Sequence, residues 1–165
     1  MTDDERRRID DLFVRCAAGV SRYVLLRVGD AELAEEITAR VFLVVVRNIH
    51  QQRGSLIAWL WAIVRTEISR HYRARSHRPI AEDAIAPEAM PFEQMMREEA
   101  NERLQNAVLR LADEQQQVLS LKFFFDLSHQ EIADALGISV SNVGVRVHRA
   151  VSELRTMLRE PTEVV

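Results

Sequence analysis

The chain has 165 residues, of which 47% are hydrophobic and 28% charged, and its formal net charge is −3. This length fits one domain or two small ones and excludes a large multidomain enzyme. The single cysteine, Cys16, excludes an intramolecular disulfide and a zinc site made of several cysteines, and it fits a reducing compartment. The longest wholly apolar run, residues 56–64, is about half the roughly 20 residues that a spanning helix needs, so we expect a cytoplasmic protein without membrane insertion.

The first part of the chain has the periodicity of helices. An amphipathic helix that ends at Gly29 is predicted by apolar residues at spacings of three and four: Ile9, Leu12, Phe13, Cys16, Val20, Tyr23, Val24 and Val28. Asp30 is placed to cap a second helix over 31–50, in which the β-branched run 41–46 is interpreted as helix rather than strand. Ser55 is placed to cap a third helix that ends near Ser76.

Prolines divide the chain. Three of the four, Pro79, Pro87 and Pro91, fall within 13 positions, which predicts an irregular linker because proline removes an amide donor and restricts the preceding residue. The predicted fold class is all-α, with two small helical domains joined by this linker. The expected boundaries are 6–76 for the first domain, 77–92 for the linker, 93–159 for the second domain and 160–165 for a tail.

Charge is segregated along the chain. Residues 65–78 contain five Arg and one Glu, residues 81–102 contain seven acidic residues and one Arg, and residues 140–159 contain four Arg and one Glu. Two basic surfaces therefore flank an acidic connector. This pattern fits either ordinary solvated faces or two nucleic-acid surfaces joined by a segment that avoids the duplex.

A helix-turn-helix is the strongest local signal. Ser128 and Glu131 have the spacing of a capping box, Gly137 stands where a left-handed residue ends a short helix, and Ser139 can cap the next helix. In this motif the second helix enters the major groove of DNA. His129 and His148 are not interpreted as a metal site, because no cysteine or carboxylate cluster surrounds them.

The second helix of the motif separates into two faces at about 100° per residue. The face expected to pack inward contains Val143, Val147, Ala150, Val151 and Leu154. The face expected to contact DNA contains or borders Ser141, Asn142, Gly144, Val145, Arg146, His148 and Arg149. Short polar groups and Arg are the side chains that read base edges and bind phosphates. Glycine inside a helix costs about 1 kcal/mol relative to alanine, so Gly144 is interpreted as permitting a close backbone approach.

Both halves of the chain resemble domains of bacterial sigma factors. The stretches LADEQQQVL (111–119), DLSHQEIA (126–133), LGIS (136–139) and VHRA (147–150) resemble region four. The stretches AEEIT (34–38), VF (41–42), AWLWAIVR (58–65) and YR (72–73) resemble region two. Their order and the short linker are similar to the extracytoplasmic-function (ECF) class of the sigma-70 family.

The resemblance implies an alternative sigma factor, which is not an enzyme and needs no cofactor or metal. Such a protein binds the clamp helices and the flap of core RNA polymerase. It directs the polymerase to the −10 and −35 elements of promoter DNA, and it is commonly bound by an anti-sigma factor. The DNA-facing residues of the second helix then read the −35 element. Recognition of the −10 element is assigned to Asn48, Gln51, Gln52, Arg53, Ser55, Trp61, Arg65, Arg70, Tyr72 and Arg73. Binding to the polymerase clamp is assigned to Glu32, Glu35, Glu36 and Arg40.

The chain departs from the family pattern at several positions. Ala39 and Arg40 stand where a Gln and an acidic residue are usual, and Gly144 replaces a frequent Lys. Thr66 and Arg70 replace a frequent Asn and an acidic residue. Two other functions therefore stay open at this point: a helix-turn-helix regulator that acts without polymerase, and a decoy that titrates an anti-sigma factor.

Overall fold

The computed structural model describes residues 1–75 and 92–159, with side chains described for 1–74 and 101–159. All regular secondary structure in these ranges is helical, which confirms the predicted all-α fold class. The predicted linker, apart from Phe92, and the predicted tail lie outside the described residues.

Three helices form the N-terminal module, residues 3–75. They are α1 (Asp3–Val28), α2 (Ala31–Asn48) and α3 (Leu56–Arg75), and a 3-10 turn (Ile49–Gln51) follows α2. Local chemistry sets their ends as predicted. Gly29 takes a left-handed conformation (φ 73°) that ends α1, and the Asp30 carboxylate accepts the Leu33 amide at 3.2 Å. The Ser55 hydroxyl accepts the Ala58 amide at 3.1 Å, and residues 41–46 are helical rather than extended.

The stripe along α1 supplies the centre of this module. Leu12, Cys16, Val20, Tyr23 and Val24 are all buried, as their spacing predicts. Phe13 was expected in the same stripe, and that prediction is wrong: 53% of its surface is exposed. Its ring lies edge-on to Phe42 of α2, with centroids 5.0 Å apart, at the rim of the contact between the two helices.

The C-terminal module, residues 92–159, contains the predicted helix-turn-helix. Its elements are α4 (Phe92–Arg110), α5 (Asp113–Leu119), a π-helical turn (Ser120–Phe124), α6 (His129–Leu136) and α7 (Val140–Arg159). Ser128 and Glu131 form both bonds of the capping box, and Gly137 is left-handed (φ 67°). The Ser139 hydroxyl accepts the Asn142 amide at 3.1 Å and so begins α7. The helix-turn-helix is therefore α6, a short turn and α7.

The π-helical turn was not predicted. Its backbone is followed by Asp126 in the left-handed region (φ 52°), and the Leu127 amide bonds to the Leu121 carbonyl at 3.2 Å. This local underwinding turns Phe125 and Leu127 inward, where 4% and 1% of their surfaces are exposed. The turn thus places two large apolar side chains ahead of the helix-turn-helix.

The two modules pack against each other and share one apolar core. Helix α1 contacts the π-helical turn, and α3 contacts α6. Buried residues from Leu12 to Ala150 form a single continuous cluster. In the described ranges, no helix has both the length and the apolar character required to cross a bilayer.

Candidate nucleic-acid interface

The outer face of α7 is open to solvent in the way that its sequence predicts. Ser141, Asn142, Val145, His148 and Arg149 are exposed. On the opposite side Val143 and Ala150 are fully buried, while Val147, Val151 and Leu154 are partly buried against the same core. The caps at Ser128, Gly137 and Ser139 hold α6 and α7 in place, so the exposed face is carried on a rigid support.

Two residues of this helix differ in their surroundings from the rest. Arg146 is partly covered, and its Nη1 lies 3.9 Å from the Glu114 carboxylate of α5. A Cβ atom at Gly144 would meet nothing nearer than the His129 ring at 3.9 Å. Among the described residues, none therefore approaches Gly144 closely, and the close approach inferred from the sequence is not made by that part of the chain.

The loop between α2 and α3 presents some of its predicted side chains and buries another. Gln51, Arg53 and Ser55 are exposed, while Asn48 is partly buried and its amide donates to the Val44 carbonyl at 2.9 Å. Gln52 is only 5% exposed. Its Oε1 accepts a hydrogen bond from Arg8 of α1, and its Nε2 donates to the Gly54 carbonyl at 2.9 Å.

Gln52 therefore braces the loop instead of facing a ligand. Gly54 takes a left-handed conformation (φ 73°) beside it, and Arg53 donates from Nη1 to the Gln52 carbonyl at 2.9 Å. The sequence-based assignment of Gln52 to base contact does not fit this burial. Arg8 was not singled out from the sequence, because nothing local marks a residue that acts 44 positions away.

Helix α3 presents a basic face. Arg65, Arg70 and Arg73 are exposed, and Arg70 lies 3.6 Å from the buried Glu67 carboxylate. Tyr72 is 41% exposed, and its hydroxyl donates to the Arg27 carbonyl at the end of α1. This hydrogen bond fixes the end of α3 against α1.

Trp61 is buried, although the sequence-based assignment places it among the residues that contact the −10 element. It is 3% exposed, with its ring centroid 4.8 Å from that of Tyr23 and 5.7 Å from that of Phe125. Trp61 is therefore unavailable as a platform for a base in this arrangement. The physical reason is its position on α3, where it faces both α1 and the C-terminal module.

The exposed side of α2 carries the residues assigned to the polymerase clamp. Glu32, Glu35, Glu36 and Arg40 all face solvent. Arg40 Nη2 lies 2.7 Å from Glu36 Oε1, an i,i+4 ion pair along the helix. Arg40 stands where the family usually has an acidic residue. Its positive charge is balanced locally, because it pairs with Glu36 on the same helix.

Several groups with shifted pKa values lie where the two modules meet. Arg15 of α1 donates from Nη2 to Glu131 Oε1 of α6 at 2.6 Å, and this bond lowers the pKa of the Glu131 carboxyl and raises that of Arg15. Burial raises the pKa of the Cys16 thiol to about 11. Among the described residues, no cluster of three or more His, Cys, Asp or Glu is arranged to hold a metal ion.

Comparison with known protein families is consistent with this geometry. The model of sigma-70 region 2 matches residues 12–78, and the model of sigma-70 region 4 matches residues 101–154. The first match contains the basic face of α3, and the second contains the helix-turn-helix. The chain belongs to the sigma-70 family.

Individual relatives extend along nearly the whole chain. RNA polymerase sigma factor YlaC of Bacillus subtilis is 28% identical over 96% of this chain and 96% of its own length. ECF RNA polymerase sigma factor RpoE of Cereibacter sphaeroides is 28% identical over 88% of this chain and 83% of its own. The sigma factor RpoE of Bartonella quintana, solved with the anti-sigma factor NepR, has the same fold, with a TM-score of 0.61 and 18% identity over 91% of this chain and 95% of that one.

The resemblance to the ECF class is thereby confirmed, and the chain is an alternative sigma factor that directs transcription initiation. Sigma factors are initiation factors, and the family is not known for catalysis. The N-terminal module is its region two, and the C-terminal module is its region four.

Proposed function

We propose that this sigma factor selects promoters by reading the −35 element with the exposed face of α7. Ser141 and Asn142 stand at the start of the helix, where the N-terminal residues of a recognition helix contact base edges. Arg149 is exposed further along, and Arg146 lies at the flank beside Glu114. The observation that carries this proposal is a solvent-facing polar surface on a helix whose other side packs against the core.

We assign recognition of the −10 element to the loop between α2 and α3 and to the basic face of α3. Gln51, Arg53 and Ser55 offer hydrogen-bonding groups from a braced loop, and Arg65, Arg70 and Arg73 supply cations along the adjoining helix. Tyr72 remains the exposed aromatic side chain for stacking on an unpaired base. In this assignment Gln52 positions the loop, and Trp61 stays in the core.

We assign the binding of core RNA polymerase to the exposed side of α2. Glu32, Glu35 and Glu36 form an acidic stripe, which is suited to a basic partner surface. We place the protein in the cytoplasm, where core polymerase and promoter DNA are found. The net charge of −3 supports dependence on polymerase, since free-standing DNA binders derive most of their affinity from cations that displace counterions.

An anti-sigma factor is the second partner that we propose. A groove of about 550 Å³ lies between α1, α4, the π-helical turn and α7. Leu25, Leu104 and Phe123 line it and are 38%, 43% and 60% exposed, with Arg22 and Arg155 also in the lining. An amphipathic helix with acidic flanks fits this combination of apolar surface and cations.

Run-off transcription with purified core polymerase tests the function. We expect promoter-dependent transcripts from a library of promoter fragments only when the protein is added, with start sites downstream of a shared two-part element. Transcripts that do not depend on the protein would contradict the proposal. Specific nanomolar binding to duplex DNA in the absence of polymerase would favour a regulator that acts alone, and anti-sigma binding without polymerase binding would favour a decoy.

A further inference from the structure

The groove between α1, α4, the π-helical turn and α7 combines exposed apolar side chains with two cations. Leu25, Leu104 and Phe123 line it, with 38%, 43% and 60% of their surfaces exposed. Arg22 and Arg155 line it as well, and neither forms an ion pair with any residue that the structure describes. Within the described ranges, the groove therefore has neither an apolar cover nor counter-charges for its arginines.

Helix α7 lines the groove as far as its own last turn. Its lining residues have spacings of three and four and therefore lie on one face of the helix: Val151, Leu154, Arg155 and Leu158. Positions 151 and 158 are about 10 Å apart along a helix. Arg103 of α4 donates from Nη2 to the Leu158 carbonyl at 3.4 Å, which holds this turn against α4. The chain thus leaves α7 beside the groove.

The sequence after α7 has the chemistry that the groove lacks. Residues 160–165 are EPTEVV, with two acidic residues, two adjacent valines and no Lys or Arg. Pro161 lacks an amide donor and its ring clashes with the preceding turn of a helix, so it favours a change of direction at the end of α7. Residues 162–165 span about 13 Å when extended, which is enough to lie back along the part of α7 that lines the groove.

We propose that residues 160–165 fold back and occupy this groove, with the two valines on its apolar side chains and Glu163 beside Arg22 and Arg155. The valines remove apolar surface of the groove from water, and the carboxylate supplies the counter-charge that the described residues do not. The tail thereby competes with the anti-sigma helix proposed above, which fits the same surface through the same chemistry. The contact itself needs only the free chain, and the competition rests on the proposed function.

The tail is suited to be a reversible occupant of the groove. Two valines offer a small apolar area, and ion pairs at exposed arginines are weak because solvent screens them. A short tether compensates for this weakness, since it holds the tail at an effective concentration in the millimolar range. A partner helix with a larger apolar face can therefore displace the tail, but its apparent affinity is reduced by the fraction of chains whose groove is already filled.

Disulfide formation in the free, full-length chain tests the proposal directly. Val164→Cys is combined either with Leu104→Cys in the groove or with Thr156→Cys, which is exposed, does not line the groove and lies on the other side of α7. The tail can reach both positions, and the native Cys16 is buried. We expect the pair with Leu104→Cys to form its intramolecular disulfide at least fivefold faster, because docking raises the local concentration there. Adding Glu163→Lys should slow this pair about threefold and leave the pair with Thr156→Cys unchanged.

Dye binding provides a second measurement that introduces no cysteine. Anilinonaphthalene sulfonate is anionic and fluoresces on apolar protein surface, so it reports whether the groove is free. Val164→Asp should displace the tail and raise the fluorescence about twofold relative to wild type. Thr162→Asp is the matched control, because it adds the same charge to the tail but keeps both valines, and its fluorescence should not exceed that of wild type.

Three results would overturn the proposal. The first is equal disulfide rates for the two cysteine pairs, and the second is unchanged dye fluorescence for Val164→Asp. The third is a disulfide between residue 104 of one chain and residue 164 of another, which would make a second copy the occupant. Both measurements use the chain without polymerase. Failure of the proposed function, seen as no binding to core polymerase, would therefore leave these results unchanged.

Discussion

Two glycines inside helices have opposite surroundings, and only the structure distinguishes them. The space beside Gly19 is filled by Phe124 and Phe125, so this glycine permits a close contact between helices. The space beside Gly144 is open, with the His129 ring 3.9 Å away as its nearest neighbour. Glycine costs both helices stability relative to alanine, and only at Gly19 does a contact within the chain compensate for it.

Gly144→Ala should therefore stabilise the region-four module. We expect an increase of up to about 1 kcal/mol in the free energy of unfolding, because the methyl group restricts the unfolded chain and meets no obstacle in the helix. Chemical denaturation of the full chain measures it. Destabilisation would contradict the open surroundings assigned to Gly144.

Gly144→Lys tests the role of the same position on DNA. Restoring the side chain that is frequent in the family should strengthen binding of the holoenzyme to promoter DNA and steepen its dependence on salt by about one counterion. The matched variant Gly144→Gln adds similar length without charge. Equal salt slopes for Lys and Gln would place residue 144 away from the phosphates.

Cys16 reports on the integrity of α1. Burial raises the pKa of its thiol to about 11 from an ordinary value of 9.0, so the reactive thiolate is about a hundredfold scarcer near pH 8. We expect alkylation in the native protein to be at least a hundredfold slower than in the urea-unfolded chain, as followed by mass spectrometry. Comparable rates in the two states would show that α1 is not packed as described.

Among the elements, the loop between α2 and α3 owes its shape to a contact from outside it. Gln52 is buried within the loop and is held from α1 by Arg8. Its neighbours Gln51 and Arg53 remain exposed. The loop therefore presents its outer side chains from a fixed backbone, which is the preorganisation that a base-reading site requires.

Arg8→Ala should loosen this loop without removing any proposed DNA contact. One lost hydrogen bond is worth about 1 kcal/mol, so we expect roughly fivefold weaker binding of the holoenzyme to single-stranded −10 DNA. Binding to duplex −35 DNA should be unchanged, and Arg7→Ala is the control on the same helix. Equal losses at both elements would indicate general destabilisation instead.

On the scale of the whole molecule, the contact between the two modules depends on charge at their boundary. Glu131 serves two roles: its carboxylate accepts from Arg15 and completes the capping box with Ser128. Asp126 is a second acidic group that acts on Arg15. A single proton on Glu131 therefore affects both the start of α6 and the contact with α1.

Acid should weaken the contact between the two modules through this carboxyl. The Arg15 hydrogen bond lowers the pKa of Glu131 below its ordinary value of 4.5, so its stabilising effect is complete above that value and is lost as pH falls through the lowered pKa. Glu131→Gln retains a capping-box side chain but loses the charge. We expect the difference in melting temperature between wild type and Glu131→Gln to be largest near pH 7 and to vanish at low pH. A constant difference from pH 7 to pH 3 would contradict the ion pair.

The sequence by itself determined the helices, the helix-turn-helix and the family, because these depend on local information. Periodicity placed the faces of α1 and α7, and caps such as Asp30, Ser128 and Gly137 act within a few residues of themselves. The exposed polar face of α7 was predicted for the same reason. Only the chain order of two motifs was then needed to identify a sigma factor.

Tertiary structure alone decided which candidate residues are available. Trp61 and Gln52 have the chemistry of base-binding side chains, yet they are buried by partners far away along the chain, and Arg15 and Glu131 meet across 116 positions. A local pattern shows that a side chain is apolar or charged, but not which distant surface will cover it. The packing of region two against region four is a property of this kind, since it depends on the shape of Phe125 against the bare backbone of Gly19.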